Sequence, residues 1–574
     1  MTAREVAEVL AEIAMLGELN GENPFRSRAF ASAARALEGS DADLNTLARE
    51  GRLTSLPGVG AGLAETIREL VETGRSTAHE EMRAAIPIGL YDVLRIPGLG
   101  AKRVRLLHAG LGVDSLDSLE TAVRAGRVAE LSGFGAKTEA KILEGIAFVR
   151  EALRRRRYPE AHAVAERLLA WLRARPEVLS AEVAGELRRR MEVVDSIDLV
   201  VCTLDTQAVT AAFRDLHGSG EADAEREGCS TIRLPDGILA HLYCVPPEEA
   251  PAVLLWQTGS EAHLSALAAR AATHGLTLSP AGLLRNGQGV VPVETEDELY
   301  EALGLVWIPP ELREGMGEVA AAADPLPELI RVEDLRGTFH CHTTYSDGRA
   351  SVAEMAGAAR ARGWRYLGLA DHSRSASYAG GLPEALVRQQ QAEIDAWNAE
   401  QGGEEFRIFK GIESDILPDG SLDYPDAVLA TFDYIVGSVH SGFGMSEAEM
   451  TARIVAAIRN PRLTMLGHPT GRILLTRGGY PVDIHAILDA AAEYGVVVEI
   501  NANPHRLDLD WRHLRYAVER GVLIAINPDA HSVGGLDDVS FGIGAARKGG
   551  LVARQVLNTW TREEVEGYFA GRKA

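Results

Sequence analysis

Residues 338–348 read TFHCHTTYSDG. His340 and His342 stand two apart, and in an extended strand residues i and i+2 share a face. Both imidazoles then point one way and Cys341 the other. Asp347 follows within the same segment. Two imidazoles and a carboxylate so close together suit a divalent cation. Moving outward, more donors of these types appear: His372 in LADHS (369–373), Glu413 in GIESDI (411–416), His440 in GSVH (437–440), His468 in GHP (467–469), and Asp529 and His531 in NPDAHS (527–532). Each ends a short apolar run. The runs GTFHCH, YLGLADH, RIFKGIESDI, YIVGSVH, TMLGHP, VVVEINA and LIAINPDAH alternate with helical stretches. Such β-α alternation predicts a parallel barrel, whose strand C-termini open on one face. The nine donors then converge there, enough for two or three ions.

The bulk composition frames this reading. A chain of 574 residues predicts several domains. It is 46% hydrophobic and 25% charged, ordinary for globular protein. No apolar run approaches the roughly 18 residues of a membrane span. The first residues, MTAREVAEVL, do not read as a secretory leader, and the four cysteines (Cys202, Cys229, Cys244, Cys341) form no CxxC pair. A cytoplasmic, monomeric protein is the expectation. The net charge of −23 argues against indiscriminate binding to polyanions over the whole surface. Locally the balance reverses: residues 91–160 carry 13 Lys and Arg against 9 Asp and Glu, ending in the basic block Arg154–Arg157.

That basic region contains a repeat. LPGVG (56–60), IPGLGAKRV (96–104) and LSGFGAKTEAKI (131–142) each join helical stretches by an apolar-Gly-apolar-Gly turn. One copy is a weak signal; three in one region predict helix-hairpin-helix units. Glycines allow the tight turn, and the free amides of the following helix point outward to hold a phosphate oxygen without reading a base. The DNA-contacting set is therefore Gly58, Gly60, Gly98, Gly100, Gly133 and Gly135, with Lys102, Arg103 and Lys137 supplying charge, and Arg105 and Lys141 nearby.

From about residue 160 the texture becomes α+β. VLSAEVAG (178–185), SIDLVVCTL (196–204) and GILAHLYCV (237–245) read as strands with helices between them. A Pro- and Ala-bearing stretch, AAAADPLPEL (320–329), reads as a linker.

Through these motifs the last 240 or so residues resemble the PHP (polymerase and histidinol phosphatase) phosphoesterases. The resemblance implies a distorted (β/α)7 barrel with manganese or zinc. It assigns His340, His342, Glu413 and Asp529 to one ion, and Asp347, His372 and His531 to a second. A third, reached by Glu413, falls to His440 and His468. Arg506, beside the NANP turn, is a candidate for holding substrate phosphate.

The whole chain resembles bacterial family X DNA polymerases, through NPFRSRAF (23–30), LPGVG, GELRRR (185–190), QTGS (257–260) and LGLVWIPPELRE (303–314). The resemblance implies a multidomain protein. All-α helix-hairpin-helix units fill residues 1–80 and 81–150. A nucleotidyltransferase-like α+β palm follows at 151–255, a thumb at 256–318, a linker at 319–335 and the PHP module at 336–574. Gly185, Arg188, Gly259 and Ser260 are then nucleotide or primer contacts.

The palm departs from its pattern. The family's Asp-x-Asp pair falls on Ser196 and Asp198, and its third Asp falls on His241. Asp195, three residues from Asp198, turns to the other face of a regular strand unless a bulge intervenes. A single carboxylate holds Mg²⁺ poorly, so weak, Mn²⁺-dependent or absent polymerase activity is expected. Lysines used by eukaryotic relatives for abasic-site lyase chemistry are Thr66 and Gly62 here, so that activity is expected to be missing. The resemblance implies a DNA-repair protein acting on gapped, nicked or 3′-recessed duplex. It would hydrolyse phosphodiesters at 3′ ends and at abasic sites, with deoxynucleotides as possible ligands of the palm. The alternatives are a working gap-filling polymerase with a proofreading PHP module, a small-molecule phosphatase and a non-catalytic DNA-end scaffold.

Overall fold

The computed structural model describes residues 3–38, 44–56, 58–216, 228–235, 237–285, 289–403 and 405–573. It divides into two compact units, Met1–Leu153 and Arg154–Ala574.

The first unit is helical and shares one apolar core, running from Val6 to Val149. Its three hairpins are built alike. Gly58, Gly98 and Gly133 adopt left-handed backbone, with φ of +77°, +84° and +89°. Only glycine takes such values without strain. Gly60 and Gly100 cap the helices Ala61–Thr73 and Ala101–Leu111, and Gly135 precedes the helix Ala136–Arg154. Val59 and Leu99, between the paired glycines, are buried and anchor each turn to the core. Thr66 is buried in the helix Ala61–Thr73, where its Oγ1 donates to the Gly62 carbonyl.

The second unit opens with a four-stranded sheet. Its strands are β1 (Val178–Val183), β2 (Ser196–Thr203), β3 (Cys229–Arg233) and β4 (Leu239–Val245). The order is β1-β2-β4-β3, with the central β2–β4 pair parallel and the flanking pairs antiparallel. The three strands read from the sequence are present, and β3 was not anticipated. The thumb-like segment follows, with helices Ala250–Thr258 and Glu261–Thr273 and a hairpin of β5 (Leu276–Ser279) and β6 (Gly282–Arg285).

Residues 319–335 are not a loose tether. Val319 and Ala322 are buried in the thumb core, and Ile330 is buried in the core of the following module. The Ile330 amide donates to the Leu551 carbonyl at 3.0 Å. The composition suggested a linker, but its apolar side chains have faces to cover and are drawn down onto them.

The seven apolar runs then form the strands of a parallel barrel among the described residues. These are β7 (Gly337–Thr338), β8 (Tyr366–Leu369), β9 (Arg407–Lys410) continued by β10 (Glu413–Asp415), β11 (Val436–Ser438), β12 (Met465–Leu466), β13 (Val497–Asn501) and β14 (Ile524–Asn527). Hydrogen bonding gives a three-stranded and a five-stranded sheet. Parallel bridges Cys341↔Ala530 and His372↔Glu413 join the two and close the ring. Both bridges fall at donor residues or beside them, so the seams of the barrel lie at the site. Phe339, Tyr366, Phe409 and Tyr434 pack with Phe569 of the last helix as an aromatic cluster among the strands.

Candidate metal centre

Eight of the nine donors lie beyond the C-terminal ends of barrel strands, and Glu413 opens β10 just after β9. The structure brings them together around Glu413. Its carboxylate oxygens lie 3.4 Å from His340 Nε2, 3.8 Å from His342 Nε2, 2.8 Å from His372 Nδ1, 3.3 Å from His440 Nε2 and 3.0 Å from His468 Nε2. Three sets of donor atoms are compact enough to hold an ion: His342, Asp347, His372 and His531; His340, His342 and Asp529; His372, Glu413 and His440. His342 and His372 each belong to two sets. The grouping by distance thus shares residues where the resemblance divides them.

Local backbone explains the convergence. Gly348 lets the TYSDG turn fold over its own start: a Cβ there would lie 2.5 Å from the His342 carbonyl carbon. Asp347 is carried back to His531, whose Nε2 is 3.3 Å away. Asp529 has φ of +53° and His468 φ of +23°, values rare for non-glycine residues. In a regular strand Asp529 and His531, two residues apart, would share a face as His340 and His342 do, but the left-handed Asp529 breaks that alternation. A left-handed residue lies between strand and turn, and the two side chains join different donor sets.

Further side chains orient the donors. His340 Nδ1 contacts Glu499 Oε2 at 2.7 Å and His440 Nδ1 contacts Asp415 Oδ1 at 2.6 Å, which leaves each Nε2 facing the cluster. A carboxylate on the far nitrogen fixes the ring and raises its basicity, the usual support for a metal-bound imidazole. Asn501 Nδ2 donates to Glu499 and Asp529, and Asn527 Nδ2 donates to Glu499. Asp371, fully buried, accepts from the Thr343 and Ser346 amides and hydroxyls and so shapes the turn before Asp347. None of these was singled out from sequence, although Glu499, Asp415, Asn501 and Asn527 stand inside the quoted motifs.

The electrostatics are those of a cage. Burial opposes ionisation of Glu413, but His440, His372 and His340 outweigh it and hold the carboxyl well below its ordinary range. Burial likewise opposes charge on Asp347 and is outweighed by His531 and its neighbours, leaving it at about 2. Burial also disfavours charge on His440 and His531, yet nearby carboxylates pull them up to about 10 and about 9. His342 goes the other way, to about 3, through burial reinforced by His531 and His372.

His340 Nε2, His342 Nδ1, His372 Nδ1, His468 Nδ1 and Glu413 Oε2 are buried without hydrogen-bond partners. Buried polar atoms are normally satisfied. The 2.8 Å approach of His372 Nδ1 to Glu413 Oε2 lacks hydrogen-bonding angles. Unpartnered imidazole nitrogens gathered around one buried carboxylate are what the ligands of bound cations present. Arg506 also reaches the cluster, its Nε 3.6 Å from Asp529 Oδ2.

The palm contrasts with this. Ser196 Oγ donates to Asp198 Oδ2 at 2.9 Å, and Asp198 pairs across the sheet with His241. His241 Nδ1 lies 2.8 Å from Thr231 Oγ1. Burial pushes the Asp198 carboxyl above its ordinary range, against the pull of His241 and Ser196. Asp195 is exposed and paired with Arg155 at 2.7 Å, so no bulge brings it to Asp198. Gly185, at φ of +61°, presses its backbone on Asp198: a Cβ would sit 2.3 Å from Oδ2. Arg188 is tied to Glu296 and Thr258 of the thumb segment. Ser260 caps the helix that follows Gly259 by accepting from the His263 amide. In the first unit, Gly58, Gly60, Gly98, Gly100 and Gly133 are exposed, as are Lys102, Arg103, Arg105, Lys137 and Lys141. No helix among the described residues is long and apolar enough to cross a membrane.

Comparison with known proteins agrees with this layout. The family described as helix-hairpin-helix domain matches residues 1–76, and the SAM-like helix-hairpin-helix tandem matches 90–147. The DNA polymerase beta thumb matches 253–314 and the PHP domain 338–503. The chain is 36% identical to the DNA polymerase/3′-5′ exonuclease PolX of Bacillus subtilis over 99% of both chains. A probable phosphatase of Thermoanaerobacter is 33% identical over 169 residues, which is 26% of this chain and 64% of that protein. A probable phosphatase of Aliivibrio fischeri is 27% identical over 39% of this chain and 88% of its own length.

Proposed function

Because the chain belongs to the family of the DNA polymerase/3′-5′ exonuclease PolX, we propose that its PHP module hydrolyses phosphodiester bonds at DNA 3′ ends. Abasic sites are a second substrate class that the same bond chemistry admits. The helix-hairpin-helix units grip gapped, nicked or recessed duplex through backbone phosphates, with Lys102, Arg103 and Lys137 exposed beside the glycine turns. The observation that carries the reading is the meeting of five imidazoles on the single buried carboxylate of Glu413.

The nine donors would hold two or three manganese or zinc ions. Such ions, when bound, supply an activated water near neutral pH and offset charge on the phosphoryl oxygens. Glu499 and Asp415 fix the ring orientations of His340 and His440, so the donor geometry is set before substrate arrives. Arg506 offers a guanidinium at the edge of the cluster for a phosphate oxygen.

The palm carries one carboxylate where two-metal nucleotidyl transfer needs several, so its synthesis is weak with either Mg²⁺ or Mn²⁺. Gly185, Gly259 and Ser260 remain candidates for primer or nucleotide contact, whereas Arg188 joins palm to thumb. A small-molecule phosphatase is the lesser reading, because three phosphate-facing hairpins have no part in it.

Digestion of a 3′-recessed duplex with Mn²⁺ tests the proposal. His342→Ala and Glu413→Gln should each lose at least about tenfold in rate, together with bound manganese, since a missing ligand costs no less than a lost outer-shell partner. Digestion at the rate of the unaltered protein by both variants would overturn it.

A further inference from the structure

Tyr378 is 71% exposed, yet its ring centroid lies 6.2 Å from that of His372 and 6.4 Å from that of His440. A lone exposed aromatic is ordinary on a protein surface. What separates this one is how it is held. The segment from His372 to Leu382 is a closed loop: the Leu382 amide donates to the His372 carbonyl at 2.8 Å and the Ala376 amide to the Ser373 carbonyl at 3.0 Å. A Cβ at Gly381 would lie 2.0 Å from the Ser373 carbonyl oxygen, so the loop closes tightly on the residue after the donor. Ser375 Oγ donates to Asp415, the same carboxylate that orients His440. The loop is thus pinned to the His372 backbone and to the carboxylate that orients His440, and its apex presents Tyr378.

Resting on the reading of this site as a DNA phosphodiesterase, we propose that Tyr378 is a specificity-determining residue whose ring stacks on the base of the 3′-terminal nucleotide. A base is one sugar removed from its phosphate. With the phosphate at the donor cluster, an aromatic face about one ring beyond the cluster is at the matching distance. Stacking tolerates every base, because each offers a π-face. It also favours an unpaired end over a paired one, which suits removal of terminal nucleotides. The carboxylates of Glu413, Asp415 and Asp347, and Arg506, also lie within electrostatic reach of the Tyr378 hydroxyl, which places the ring beside the cluster.

The test uses two 5′-labelled single-stranded oligonucleotides that differ only at the 3′ end. One ends in a normal nucleotide and the other in a tetrahydrofuran residue that lacks a base. The full-length protein, Tyr378→Ala and Tyr378→Phe are compared with Mn²⁺, and bound manganese is measured by mass spectrometry. The unaltered protein should favour the base-bearing end by roughly tenfold in kcat/KM, chiefly through KM. Tyr378→Ala should cut both ends equally, Tyr378→Phe should keep the preference, and all three should hold the same manganese. A preference retained by Tyr378→Ala, or lost equally in Tyr378→Phe, overturns the stacking role alone. So does loss of manganese from Tyr378→Ala, which would make the ring a support of the cluster. No digestion of either substrate by the unaltered protein would overturn the DNA reading, and the stacking role with it.

Discussion

At the scale of single residues, the donor cluster holds protons as well as places for metal. His440 and His531 sit at about 10 and about 9 without metal, both above the ordinary imidazole value of 6.5. Near pH 7 both carry a proton that a cation must displace. Manganese uptake should therefore release protons, and affinity should rise with pH until those groups are deprotonated. The sign for stability is the opposite. Groups raised on folding stabilise the metal-free protein fully below about pH 6.5, and that contribution fades as pH climbs through their folded values. Calorimetric titration with Mn²⁺ at pH 7, in buffers of different ionisation enthalpy, should show net proton release. Uptake that is proton-neutral would mean these imidazoles are not the ligands. The clustering of these imidazoles and carboxylates was legible in the sequence because spacing and strand ends announce it. Glu499, Asp415 and Asn501 were not, because an orienting carboxylate or amide has no spacing signature apart from the ring it touches. The left-handed Asp529 was equally hidden, since alternation assumes regular strand.

At the scale of elements, the hairpins and the barrel strands followed the sequence closely. Seven apolar runs became the barrel strands, although two keep only two paired residues, Gly337–Thr338 and Met465–Leu466. The strand Cys229–Arg233 and the hairpin of β5 and β6 were missed. Short segments of mixed polarity give little periodicity, and pairing with neighbours decides them. The hairpins support a prediction of their own. Lys102 and Lys137 are exposed directly after the second and third Gly-x-Gly turns. Lys102→Glu with Lys137→Glu should weaken duplex binding and flatten its salt dependence by about 0.9 in log–log slope for each phosphate left without its lysine. Fluorescence anisotropy over a range of salt concentrations measures this. An unchanged slope would place the DNA elsewhere.

At the scale of the whole molecule, palm, thumb and PHP module pack as one unit from Arg154 onward. Buried charge stitches them together. Arg189 Nε donates to Glu314 at 2.9 Å, and Lys548 donates to the Arg189 carbonyl and lies over Trp511. Trp511 and Arg512 in turn donate to Glu192. Composition suggested a linker between modules because it registers prolines and alanines, not the faces onto which those residues fold. The central claim also belongs at this scale: the PHP cluster is complete and the palm is not. A labelled gapped duplex incubated with Mn²⁺, with and without deoxynucleotides, tests it most directly. The primer should shorten in both cases. In the Ser196→Asp, His241→Asp variant, which refills the palm's acidic positions beside Asp198, extension should appear when nucleotides are added. Vigorous extension by the unaltered protein, abolished by Asp198→Ala, would contradict the account.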